Sequence, residues 1–366
     1  MTIPPSPRSS RRPRWLLAVL TAVISMLLTL AAGELLVRWL DPQAIMLPRS
    51  RFSAAYGLEF HPNRVMVNEL AGQWRFEYST NAQGHRGPVL PLASRYLQPN
   101  VVVLGDSYTF GYGIADGQDY PARMRALLAG SHGVVNLGVG GWGLTQEIRR
   151  YYDLGRLYEP QVVVLQFTGN DPSDNLLYNV TRVVGGRLLF QDRDDSSAIS
   201  LVKRWLSESP LQRSHLYALA RGHLYYVFRG REIAAAATAT AAATASAGPA
   251  RAAPADPPAQ QFHNDLLEAF AADLSTRGIR LLLIAVDHHL AEFPLIEARM
   301  RDLQSRGLAT FIDVDALFKR APNDLSPEGH WGPVAHRTIA SALVAEIRSP
   351  SVTVPPRAAA SAPARP

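Results

Sequence analysis

The stretch Val101-Val102-Val103-Leu104-Gly105-Asp106-Ser107 is an unbroken apolar run that ends in a turn bearing a hydroxyl. Such a run predicts a strand buried on both faces, as parallel sheets require. Gly105 lets the backbone bend sharply, and Asp106 is placed to cap or brace the turn. Ser107 is thereby set at the carboxyl end of a strand, the edge where open α/β sheets hold their reacting groups. The alternation continues outward. Further strands are predicted at 134–137, 162–167, 280–286 and 311–314. Helices are predicted at 120–128, 142–157, 265–276, 295–306 and 333–347, the last with Ile339, Leu343 and Ile347 on one face. The pattern predicts an α/β fold, a five-stranded parallel sheet in a three-layer α/β/α sandwich.

Three further blocks fall beside strand or helix ends. Asn136-Leu137-Gly138-Val139-Gly140-Gly141-Trp142-Gly143 joins a strand to a helix, and its backbone N–H groups can serve an anion. Gly138, Gly140 and Gly143 also satisfy a dinucleotide-binding spacing. That reading wants an acidic residue about 20 positions on, at the end of the next strand. Here the next strand ends at Phe167 and the following acid, Asp171, is later still. Thr168-Gly169-Asn170-Asp171 follows the 162–167 strand, and a carboxamide there can donate to an oxyanion. An ordinary Asn-Asp turn is the alternative. Pro327-Glu328-Gly329-His330-Trp331-Gly332-Pro333 sets a histidine two residues after an acid, just before the last helix. A serine hydroxyl is a weak nucleophile until a base takes its proton, and a histidine oriented by an acid is such a base.

These blocks resemble the SGNH hydrolases, also called the GDSL lipase/acylhydrolase family. The resemblance covers residue 81 to about 347 and is specific in Val103-Leu104-Gly105-Asp106-Ser107-Tyr108-Thr109-Phe110-Gly111, Asn136-Leu137-Gly138 and Gly169-Asn170-Asp171. It implies the sandwich of that family, which is flavodoxin-like, and a serine esterase or acylhydrolase without a cofactor. Ser107 would be the nucleophile and His330 the base. The oxyanion hole would be Ser107, Gly141 and Asn170. The family's aspartate two residues before the histidine is Glu328 here, with Asp324 as a substitute. The glycine of the third block adjoins Asn170 instead of lying two residues before it. The resemblance further implies an acyl-ester substrate, an O-acylated glycan or lipid. Acyl transfer to an envelope polysaccharide and a catalytically idle glycan-binding protein are the rival functions.

Composition narrows the classes. The 366 residues include no cysteine, which excludes disulfides, thiolate metal sites and cysteine nucleophiles. The net charge is +6, and Arg8, Arg11, Arg12 and Arg14 carry four of those charges. The remainder is nearly neutral, so a nucleic-acid partner is not expected. The arginines precede an uncharged run of 19 residues, 15–33, which nearly spans a ~30 Å hydrocarbon core. The basic flank predicts a single-pass anchor in the cytoplasmic membrane, with the domain in the bacterial periplasm or on the outer surface. A cleaved signal peptide is the competitor, since Leu30-Ala31-Ala32-Gly33 is rich in small residues.

The expected organisation is a basic leader over 1–14, an anchor over 15–40, a lead-in over 41–100, the hydrolase domain over 101–348 and a disordered tail over 349–366. An insertion is expected at about 176–262, with helical spacing over 201–229 that suggests a small lobe near the site. Within it, 233–260 reads as an alanine-rich linker. Asp287-His288-His289 is expected to be a surface loop, since a metal site there lacks a third ligand. His85 is assigned no role, and His215 and His223 are expected to be exposed.

Overall fold

Valine and leucine runs form the centre of the molecule because only burial on both faces suits them. In the computed structural model, residues 14–48, 50–96, 98–193, 198–224 and 257–349 are described. Five strands make a parallel sheet: β1 (Asn100–Leu104), β2 (Gly133–Asn136), β3 (Val162–Phe167), β4 (Arg280–Ala285) and β5 (Thr310–Ile312). Every residue of β1 and β3 is buried. Their order across the sheet is β5-β4-β3-β1-β2. The chain therefore reverses direction between β1 and β3, and the loops leaving these two strands diverge. A crevice opens at such a switch point, outside the strands' carboxyl ends.

Helices cover both faces. On one side Tyr120–Leu127 packs against Pro333–Arg348, burying Tyr120, Met124, Ile339, Leu343 and Ile347. On the other, Leu144–Asp153, Pro257–Thr276 and Pro294–Ser305 bury Ile148, Tyr151, Leu267, Phe270 and Met300. This is the expected three-layer sandwich. The helix expected from residue 142 begins at Leu144, because the indole of Trp142 is buried and donates from Nε1 to the Leu58 carbonyl at 2.8 Å. It ends at Asp153, and Gly155–Tyr158 tightens into a 3₁₀ turn.

The lead-in is more than a tether. Ile45–Leu47, Val65–Leu70 and Trp74–Ser79 form an antiparallel sheet. Its Met66 and Tyr78 join Tyr56, Phe60, Phe110, Val139 and Trp142 in a third apolar cluster, laid over the loops that follow β1 and β2. Arg86, 1% exposed, donates to the carbonyls of Phe110, Gly111 and Ile114 and to Asp116, pinning the lead-in to the loop after Ser107.

The helix Arg14–Leu40 is long and apolar, and among the described residues nothing buries its hydrophobic window. Its 26-residue stretch from Trp15 is about 39 Å long, enough for a ~30 Å hydrocarbon core. The insertion contains a helix, Ala198–Glu208, a 3₁₀ turn, Pro210–Arg213, and a helix over 215–224. This lobe was expected near the site. It packs against the strands Ile45–Leu47 and Arg51–Ser53 of the lead-in and the end of the N-terminal helix. The linker expected through residue 260 stops sooner, since helix already begins at Pro257, where the first turn tolerates proline. The leader up to residue 13, the linker up to residue 256 and the tail beyond residue 349 lie outside the described residues.

Beneath the β1 and β3 loops lies a buried acidic group. Asp106, Glu147 and Asp171 are each 1% exposed. Both Glu147 carboxyl oxygens lack a hydrogen-bond partner. Burial pushes Glu147 well above the usual carboxylate range, and the nearby Asp106 charge adds to that. Asp171 rises for the same reason, with the charges of Glu147 and Asp106 behind burial. A carboxyl raised on folding stabilises the protein fully below its unfolded value of about 4.3 and less as pH climbs toward the folded value. Glu147→Gln removes that penalty. Thermal melts should show wild type losing more stability than the variant as pH rises from 5 to 9.

Candidate active site

The turn after β1 has little room. A Cβ on Gly105 would lie 2.1 Å from Thr109 Oγ1 and 2.7 Å from Gln166 Oε1, at φ +152°, so only glycine fits. Gln166 Oε1 accepts from the Asp106 N–H at 3.3 Å and from Thr109 Oγ1 at 2.9 Å, and its amide nitrogen donates to Thr168. The β1 and β3 loops are thus stitched together through one glutamine. Asp106 caps the short helix Ser107–Phe110, accepting from the Tyr108 N–H at 3.1 Å. Its other oxygen accepts from Ser107 Oγ at 3.3 Å. Burial pushes the Asp106 carboxyl up to about 6 against these hydrogen bonds.

Ser107 Oγ lies 2.9 Å from His330 Nε2. The two residues are 223 positions apart and reach each other over the carboxyl edge of the sheet. His330 sits in a turn closed by Ser326 N–H to its carbonyl at 2.7 Å, a bridge between Leu325 and Trp331, and Gly332 N–H to the Asp324 carbonyl at 2.8 Å. Trp331 is fully buried and donates from Nε1 to Asp287 at 2.6 Å. Tyr108 and Tyr112 wall the imidazole, with ring centroids 4.5 Å and 5.6 Å away. Burial pushes His330 down to about 4, and the neighbouring His289 adds to this. Near neutral pH its ring is uncharged and able to accept a proton.

Of the two candidate acids, Asp324 is engaged elsewhere. Its Oδ1 accepts from the Val334 and Ala335 N–H groups at 2.9 Å each, at the start of the last helix. Glu328 Oε1 lies 3.8 Å from His330 Nδ1, beyond hydrogen-bond length, and both atoms are buried without a partner. Its other oxygen accepts from Asn68 Nδ2 at 3.0 Å. Burial pushes the Glu328 carboxyl up to about 7, with the Asn68 bond holding it down. Gly113 borders this acid. A Cβ there would stand 2.2 Å from Ser326 Oγ and 2.8 Å from Glu328 Oε1, and φ is +74°. Glu328 therefore sits in a fitted slot between the loop after Ser107 and the lead-in sheet.

Asn170 opens the helix Asp171–Tyr178 and donates from Nδ2 to Asp174 at 2.7 Å. An amide nitrogen carries two hydrogens, so one remains for another acceptor. Gly141 has open space where a Cβ would stand. The neighbouring glycines are tightly packed: Gly138 against Thr109, Gly140 against Tyr112 and Gly143 against Asn175. Close packing thus accounts for a glycine at each of these three positions. Among the described residues no cluster suits a metal ion.

Several partners escaped the sequence reading. Asn68 lies 260 residues from Glu328, and no local pattern joins them. Asp174 stands four residues after Asn170, a helical spacing that was legible. The Asp287-His288-His289 loop divides. The His288 side chain is 84% exposed, whereas His289 turns inward beside Tyr108 and accepts from the Gly169 N–H at 3.0 Å. His223 is exposed as expected. His215 is not: it is buried, and its Nδ1 accepts from the Gln43 N–H at 2.9 Å.

The profile of the GDSL-like lipase/acylhydrolase family matches residues 103–337, more than half of the chain. No curated protein matches. Solved structures similar to it include a member of the lipolytic protein G-D-S-L family from Veillonella parvula DSM 2008, at 12% identity and a TM-score of 0.38, covering 68% of this chain and 99% of that one. A carbohydrate acetylesterase family member from Sinorhizobium meliloti is similar at 11% identity and a TM-score of 0.38, covering 69% and 98%. A catalytic mutant of an acetylxylan esterase from Geobacillus stearothermophilus is similar at 13% identity and a TM-score of 0.37, covering 68% and 94%.

Only an ionised Glu328 can stabilise a charged His330. With Glu328 at about 7, kcat/KM for an ester should rise with pH through that value, and Glu328→Gln should flatten the rise. Asn68→Ala removes the bond that favours the ionised carboxylate. The same rise should then move upward by about one pH unit, with rate recovered at higher pH. Both follow from pH–rate profiles on one chromogenic acetate.

Proposed function

Because the chain belongs to the GDSL-like lipase/acylhydrolase family, we propose that it is a serine esterase held at the outer face of the cytoplasmic membrane, acting on an O-acylated glycan or lipid. The observation that carries this reading is the 2.9 Å separation of Ser107 Oγ and His330 Nε2. Neutral His330 takes the Ser107 proton as the oxygen attacks the ester carbonyl. Glu328 faces His330 Nδ1 and offsets the charge that forms on the ring. The oxyanion is met by the N–H groups of Ser107 and Gly141 and by the free Nδ2 hydrogen of Asn170, which Asp174 holds in line. Each such donor lowers the barrier by ~3–4 kcal/mol. His330 then protonates the leaving alcohol. Water, activated by the same imidazole, releases the acid and frees Ser107.

Support for the location comes from the basic flank before Trp15 and from the 26-residue apolar helix, which is longer than a signal peptide's ~7–15-residue apolar core. A mature protein whose mass begins after residue 32 would contradict the anchor.

Hydrolysis of nitrophenyl acetate tests the chemistry. Ser107→Ala and His330→Ala should each cut kcat by about 10⁴-fold or more while melting as wild type does. Asn170→Ala should cost about 10²–10³-fold. Full activity in His330→Ala would remove the assigned base. Acid release matched by acyl transfer to an added sugar would make the enzyme a transferase.

A further inference from the structure

The lobe inside the insertion has a face that the other described residues leave exposed. In the helix Ala198–Glu208, Leu201, Val202 and Trp205 are 57%, 56% and 64% exposed. Successive helical residues turn by about 100°, so these three share one stripe. The other side of the helix meets the strand Arg51–Ser53 and the turn Pro210–Arg213, and Leu206 is half-buried. Leu211 and Leu224 add exposed apolar surface to the lobe, at 44% and 52%. A soluble surface rarely gathers leucine, valine and tryptophan in this way without something to cover them.

Where the lobe is attached says what covers it. The Glu34 carboxylate, near the end of the N-terminal helix, accepts from Ser214 Oγ at 2.6 Å and from the His215 and Leu216 N–H groups at 3.0 and 2.9 Å. A side chain about 180 positions away thus serves as the N-terminal cap of the helix over 215–224. Arg38 donates to the Arg213 carbonyl at 3.4 Å, and His215 binds the Gln43 N–H. Gly33 lies against Leu216, where a Cβ would be 3.2 Å away. The lobe is therefore fastened to the last two turns of the apolar helix. At that same end Leu35, Leu36, Trp39 and Leu40 are exposed, Trp39 at 81%. Tryptophan favours the boundary between headgroups and acyl chains.

We propose that the helix Ala198–Glu208 lies along the membrane surface, with Leu201, Val202 and Trp205 seated in the lipid interface beside the end of the span. The inference rests on the reading of Trp15–Leu40 as a membrane span. The occupant is lipid because the stripe belongs to a lobe clamped to the span by Glu34 and Arg38. Lys203 and Arg204 interleave the apolar residues in sequence, the pattern of helices that lie in an interface. A second contact of this kind stops the domain from swinging freely about one helix. It fixes the height and tilt of the Ser107 crevice above the bilayer. Esters displayed at that height are then the substrates the crevice meets.

The absence of cysteine makes the test direct. Leu201→Cys, Trp205→Cys, Leu27→Cys and Leu127→Cys are each prepared in the full chain and labelled with a nitrobenzoxadiazole fluorophore. The proteins are placed in phospholipid nanodiscs with and without brominated acyl chains, and nitrophenyl acetate hydrolysis confirms that each is folded. Labels at 201 and 205 should be blue-shifted and lose most of their emission to brominated lipid, as the label at 27 does. The label at 127 should stay aqueous and unquenched. A quenched label at 27 with aqueous labels at 201 and 205 would overturn the proposal and leave the anchor intact. Labels at 201 and 205 that are shielded but unquenched would also overturn it, assigning the stripe to a second copy of the chain. An unquenched label at 27 would remove the anchor itself, and the proposal with it.

Discussion

The hydrogen-bonded approach of Ser107 and His330 is the contact on which the functional architecture depends. Neither residue is held by the other alone. Ser107 is fixed because Gly105 permits a turn in which Thr109, Gln166 and Asp106 interlock. His330 is fixed because Trp331 is buried at the top of the sheet and the turn around it closes on its own backbone. The order β5-β4-β3-β1-β2 then puts both at the edge where the chain reverses. A 2.9 Å contact between residues so distant in sequence is a product of the whole sheet.

The second constraint is the dryness of the site. Burial lowers His330 and raises Glu328, so both tend toward their neutral forms. A neutral imidazole suits the first proton transfer. In the proposed mechanism charge forms on the ring only during reaction, and the facing Glu328 carboxyl stands 3.8 Å away. The lead-in reaches that carboxyl through Asn68. It also roofs the loops after β1 and β2 with Tyr56, Met66 and Tyr78. A segment outside the sheet thus completes the electrostatics of a site built on the sheet.

All five strands were legible, since continuous Val, Leu and Ile runs have one stable use in an α/β pattern. The positions of Ser107, Asn170 and His330 beside strand or helix ends were legible because each falls within a short motif. Boundaries followed local details instead. Trp142 left its helix because its indole found a carbonyl 84 residues away, and prolines 257 and 258 started a helix where composition suggested a linker. The choice between Glu328 and Asp324 needed coordinates, because both lie close to His330 in sequence and only geometry shows Asp324 bound to helix N–H groups. Asn68 and the inward turn of His289 had no sequence signature at all. Each is a contact made by tertiary packing alone.

The most direct measurement is the site of covalent modification by a fluorophosphonate. The reagent reacts with a serine only where a base activates it and donors meet the oxyanion. Peptide mass spectrometry of the fully labelled protein should find one adduct per chain, on Ser107. An intact, folded protein that takes up no reagent, or one that carries the adduct on a different serine, would contradict the assignment of this crevice as an active site.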